Sequence, residues 1–152
     1  MIRRASVGDV KSGKVSRENV YVVIAMRFFP RFFKKELMDE YAHVLAPQAD
    51  LFKNFKSLQK TLKNHNVAFF KANYESHFDL SRQGRKHLSE LATASLTRDM
   101  ALICQCKDFE RCHCDLLLIW ARSKYSALVS GLIFDYPVFE ARLSSGELDQ
   151  PK

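Results

Sequence analysis

At 152 residues, 47% hydrophobic and 27% charged, the chain has the size and balance of one globular domain with a substantial core. Its N-terminal basic residues are followed by no apolar stretch, and no apolar run approaches bilayer-spanning length, which argues against a secretory signal and a membrane span. The net charge of +7 is uneven: residues 1–35 hold nine Lys/Arg against Asp9 and Glu18, and the remainder is balanced. Such an N-terminal excess suits nucleic acid, nucleotides or acidic lipid, and equally suits a solubilising tail.

In chain order, residues 1–18 are polar, contain Gly8 and Gly13 and lack periodicity. They are expected to form a flexible basic arm or a weak early strand. Residues 19–140 are expected to form a single α/β domain and residues 141–152 a polar tail. The β-branched run at 20–26 predicts a buried strand, broken before Pro30. Leu37, Tyr41, Val44 and Leu45 keep helical spacing and predict a helix over 34–46, stopped by Pro47. A second helix is expected over 49–63, burying Leu51, Phe55, Leu58 and Leu62 and exposing Lys53, Lys56, Lys60 and Lys63. Residues 67–72 read as a strand. Residues 85–95 read as a helix through Leu88, Leu91 and Ala92. Residues 100–106 form the clearest core strand, and 109–126 the longest helix, with Asp108 as its N-cap. A last strand is expected within 127–134, with Phe139 and Leu143 packing after it. Strands alternating with helices predict an α/β fold, a compact single domain with a mainly parallel sheet flanked by helices in Rossmann-like layering.

The chemistry concentrates in ALICQCKDFERCHCDLLLIW, where Cys104, Cys106, Cys112, His113 and Cys114 fall at a strand-to-helix turn. In open α/β sheets that is where ligands bind. Cysteines confined to one window do not form a disulfide framework, and a reducing cytoplasm is the expected location. Period-two spacing puts Cys104 and Cys106 on one face of the strand. A helix starting after Asp108 would aim free N–H groups at an anion, with Lys107 and Arg111 beside it. Cys112 near that helix start and near cations would be an activated thiol. Three readings stand open: small buried hydrophobes, a zinc site, or an anion-binding active site with Cys112 or His113 as nucleophile or acid/base. C-x-C and C-H-C depart from the usual spacing of structural zinc sites, and no tightly held zinc is expected. Arg27, directly after the first strand, and Arg31 join the site if the two strands are neighbours. Phe28, Phe29, Phe32 and Phe33 suit base stacking or the core. Tyr74, His77 and Asp79 are weaker candidates.

A hydrophobic strand, Arg27-x-x-Pro30-Arg31, Leu45-Ala46-Pro47, Tyr74, and C-x-C-K-D-x-E-R-C-H from Cys104 to His113 follow one another in an order that resembles the domain-of-unknown-function 488 family, near its YeaO-like members. The resemblance covers roughly residues 20–122. It implies a compact α/β domain whose two motifs meet at one sheet edge, but it supplies no reaction; some members carry a DNA-repair label. This chain departs from the family in having Ala25 and Met26 where an Asp is usual, and Cys114 where an Arg commonly follows the Cys-His pair. The combined expectation is a phosphate-bearing or other anionic ligand, a nucleotide or nucleic acid. Cys112 and His113 are its catalytic residues. Arg27, Arg31, Lys107, Asp108 and Arg111 bind the ligand, with Cys104, Cys106, Cys114 and Tyr74 as possible additions. The alternative is a non-catalytic module, zinc-stabilised or nucleic-acid-binding.

Overall fold

The computed structural model describes residues 1–149. Four parallel strands, β1 (Ile2–Ser6), β2 (Tyr21–Ile24), β3 (Glu40–Tyr41) and β4 (Met100–Cys104), lie in the order β1-β4-β2-β3. Seven helices cover them among the described residues: α1 (Val7–Lys11), α2 (Ala49–Leu62), α3 (His65–Lys71), α4 (Tyr74–His77), α5 (Arg82–Ala94), α6 (His113–Tyr125) and α7 (Pro137–Ser144). This is the expected α/β layering around a wholly parallel sheet. Among the described residues no helix is long and apolar enough to cross a membrane.

Alternation along the strands divides the core. Val23, Ala25, Met100, Leu102 and Cys104 face the large core under α2–α7. Val22, Ile24, Ala101 and Ile103 face a smaller one closed by Val7, Val10, Val15 and Phe33. Every residue of β4 is buried, as expected for a central strand with both faces covered. Residues 113–121 of α6 are buried without a break, so this helix has no solvent face there.

Several elements differ from the sequence expectation. Residues 1–18 are not an arm. β1 pairs along its whole length with β4, from Ile2 beside Met100 to Ser6 beside Cys104. Ser6 then caps α1 in a capping box with Asp9. Residues 34–46 hold two short 3₁₀ turns, Lys35–Leu37 and His43–Leu45, around β3. The Asp39 carboxylate accepts from Val22 N at 2.7 Å and Asp39 N donates to Val22 O at 2.9 Å, which ties this segment to the sheet edge. Residues 67–72 are helical, because the Asn64 side chain caps α3 through Val67 N. The expected last strand reduces to one bridge, Ile2 to Val129. The tail carries the end of α7, and Leu143 and Leu148 are buried. Residues 150–152 of that tail lie outside the described residues.

Candidate functional site

The loops after β2 and β4 leave the same edge of the sheet and wall a cavity of about 380 Å³. Arg27, Arg31 and Arg111 line it together with Cys104, Cys106, Cys112, His113 and Tyr74. Phe28, Phe52, Phe55 and Phe69 supply apolar walls, and Lys56 stands among the lining side chains. Arg27 and the Cys-His motif, 77 positions or more apart in sequence, therefore meet in one pocket.

Cys112 is the N-cap of α6, with an extended backbone (φ −148°, ψ 147°), and its sulfur accepts from Cys114 N at 3.4 Å. The helix thus begins at His113 and not after Asp108. The delay has local causes. Glu110 N donates to Lys107 O at 2.9 Å, closing a turn, and the Glu110 carboxylate accepts from Lys107 N. Asn66 accepts from Arg111 N at 2.8 Å and donates to Phe109 O at 3.1 Å. His65 Nε2 meets Arg111 O at 2.7 Å. The start of α3 thus fixes the chain entering α6.

His113 is buried, with Nε2 2.6 Å from Ala25 O and Nδ1 3.8 Å from Cys112 Sγ. Donation to the carbonyl of Ala25 leaves Nδ1 facing the thiol, a geometry in which an imidazole can exchange a proton with it. Burial pushes the Cys112 thiol up, but the thiols of Cys104, Cys106 and Cys114 and the imidazole of His113 outweigh it and hold Cys112 well below the ordinary thiol range. Burial lowers His113, and Cys112 with the carbonyl of Ala25 more than restores it, leaving it above its usual value. Cys106 is raised by its hydrogen bonds to Cys104 and Cys112, and Cys114 by burial and then by the same two thiols.

The Arg111 guanidinium stacks over Phe134 and Tyr136, each 5.0 Å away, and donates to Asp135 O at 2.6 Å. Arg27 reaches Pro47 O at 3.4 Å, and Arg31 is exposed. Tyr74 stacks on Phe69 at 4.4 Å and is pushed well up by burial. Lys107 and Asp108 are exposed and do not line the cavity; their carbonyls accept from Arg4 at 2.9 Å each. Cys106 lies beyond the end of β4, in the turn. Cys114 sits behind the wall. The sulfurs of Cys104, Cys112 and Cys114 lie within 4.8 Å of one another, a spacing that a thiophilic ion could bridge.

Spacing gave no hint of a buried support beneath the site. Tyr136 OH donates to Asp115 at 2.5 Å and accepts from Cys112 N at 3.3 Å, and Arg4 pairs with Asp115 at 3.1 Å. Burial raises Asp115 to about 6 against the hydrogen bond from Tyr136 and the charge of Arg4. Burial lowers Arg4, but Asp115 and the thiols hold it above its ordinary value. Sequence signals for Arg4 and Tyr136 were absent because their partners lie 111 and 21 residues away.

A wholly parallel α/β domain with a Cys/His/Arg-lined cavity outside its strand ends is the class defined by this fold and site. The chain belongs to the DUF488 family: the family model of the active DUF488-N3 subclade, DUF488-N3a, matches residues 6–124. No curated protein and no solved structure matched the chain.

Proposed function

We propose that the cavity binds a phosphate-bearing or other anionic ligand, of nucleotide or nucleic-acid class. Cys112 acts there as nucleophile and His113 as its acid/base partner. The carrying observation is that Arg27, Arg31 and Arg111 line the same pocket as the Cys112–His113 pair. Guanidiniums make charge-assisted, bidentate bonds to phosphate and carboxylate, and their pairing with a thiol and an imidazole suits covalent attack on an anionic substrate. The family description calls its subclade active, which agrees with chemistry at this site. Four free thiols suit a reducing compartment such as the cytoplasm.

Calorimetric titration of reduced protein with inorganic phosphate and with a nucleoside monophosphate tests the reading. Binding is expected. Arg27→Gln and Arg111→Gln should each weaken it on the order of ten-fold, while Cys112→Ser should retain it. No binding of either ligand by the wild-type chain would refute the anion site. The clustering of Cys104, Cys112 and Cys114 favours a second reading, a non-catalytic zinc-stabilised module. About one zinc per chain in protein purified without chelator, with unfolding on chelation, would select it.

A further inference from the structure

Cys112 has more thiol neighbours than a nucleophile requires. Its sulfur lies within 4.8 Å of those of Cys104 and Cys114, and all are unpaired. Cys104 and Cys112 come from different elements, the last residue of β4 and the cap of α6, and both line the cavity. The Cys104 sulfur makes only long contacts to backbone carbonyls, 3.7 Å to Ala5 O and 4.0 Å to Cys106 O, and otherwise meets the neighbouring thiols, Cys112 among them. Cys114, two residues from Cys112 in the first turn of α6, cannot reach disulfide geometry without unwinding that turn. The cavity gives a small oxidant a path to Cys112.

We propose that Cys112 and Cys104 form a peroxide-reactive pair that closes to a reversible disulfide. The proposal rests on the reading of Cys112 with His113 as nucleophile. The Cys112 sulfur attacks an oxygen of a hydroperoxide. The O–O bond breaks, Cys112 becomes a sulfenic acid, and the departing oxygen takes the thiol proton relayed by His113. The Cys104 sulfur then attacks the Cys112 sulfur. The S–O bond breaks, and hydroxide leaves with the Cys104 proton as water. Two thiols are oxidised to a disulfide, and the hydroperoxide is reduced to an alcohol, or to water when the oxidant is hydrogen peroxide, plus one water. A small thiol reductant reverses the step by exchange. The bridge removes the nucleophile and ties the end of β4 to the start of α6 across the cavity wall, so oxidation switches off the covalent chemistry of the site.

The test treats the full wild-type chain with hydrogen peroxide near equimolar amounts, quenches with N-ethylmaleimide and maps peptides without reduction. Alkylatable thiols should fall from four to about two. Fragmentation should link Cys104 in peptide 99–107 to Cys112 in peptide 112–122, and dithiothreitol should restore all thiols. Cys104→Ala should accumulate a dimedone-reactive sulfenic acid at Cys112, and Cys114→Ala should still form the bridge. A Cys112 link to Cys106 or Cys114, unchanged thiol counts, or a bound metal that shields the thiols would each overturn the proposal. The wild-type map decides it even if a variant misfolds. Phosphate binding by reduced protein without disulfide formation sinks this proposal alone; a disulfide without phosphate binding sinks the anion reading alone.

Discussion

At the residue scale, the site pairs a buried thiol with a buried imidazole, Cys112 Sγ 3.8 Å from His113 Nδ1, over the Asp115–Tyr136–Arg4 support. Cys104, Cys112, His113, Arg27 and Arg111 were legible because reactive types clustered at strand ends. Lys107 and Asp108 looked equivalent to them, yet they point away, since the turn at 107–110 and the anchoring by Asn66 postpone the helix to His113. Cys112 is predicted to alkylate first at neutral pH. His113→Gln should slow that reaction on the order of ten-fold, because the imidazole stabilises the thiolate; timed iodoacetamide labelling with peptide mapping measures it. Equal rates at all four cysteines would contradict it. Asp115 gives a pH test. Burial raises it to about 6 from its ordinary value of 3.8, so the protonated carboxyl is the form that folding favours. Its contribution is complete below about pH 4 and is lost as pH rises through about 6, amounting to roughly 3 kcal/mol at most. Subtracting the Asp115→Asn stability curve from wild type should show that decline between pH 4 and 7. A flat difference would refute the assignment.

At the element scale, the central strands β2 and β4 were legible as short apolar runs, α2 and α5 through the helical spacing of their buried residues, and α6 through its long apolar stretch. The failures lie where tertiary contacts override local pattern. Residues 34–46 have helical spacing, but the bonds between Asp39 and Val22 hold them to the sheet. β1 carries Arg3 and Arg4 in an otherwise short apolar run, so its pairing with β4 was hidden. Gly84 marks another unforeseen crossing: an added Cβ would sit 2.5 Å from the Val44 carbonyl oxygen. Alanine gains about 1 kcal/mol over glycine in a helix. The clash with fixed backbone outweighs this, so Gly84→Ala is expected to destabilise by about 1–3 kcal/mol in urea denaturation. A stabilised variant would show that α5 and the 43–45 turn separate freely. Deleting residues 1–17 removes the strand beside β4 and the buried Ile2, Ala5, Val7, Val10 and Val15. The truncated chain should lose its cooperative thermal transition, whereas a flexible arm would be dispensable.

At the scale of the whole molecule, the fold changes what the +7 charge can do. The N-terminal excess is woven into the domain: Arg4 is spent on Asp115, Arg17 pairs with Asp39, and Arg27 enters the cavity. Lys14, Lys34 and Lys35 remain exposed, as do Lys53, Lys56 and Lys60 of α2, beside the cavity through Lys56. If nucleic acid is the ligand, phosphates outside the pocket meet these lysines, and counterion release makes affinity fall steeply with salt. Lys53→Glu with Lys60→Glu should weaken binding of a single-stranded oligonucleotide and flatten the log–log salt slope by roughly one to two units. Inorganic phosphate binding in the pocket should stay nearly unchanged, because neither residue lines it. Arg27→Gln should do the reverse, weakening phosphate binding while leaving the oligonucleotide salt slope close to wild type. Fluorescence titration at several salt concentrations separates the two. An oligonucleotide that does not bind even at low ionic strength would confine the ligand to a small anion, because a long polyanion must engage the charged surface as well as the pocket.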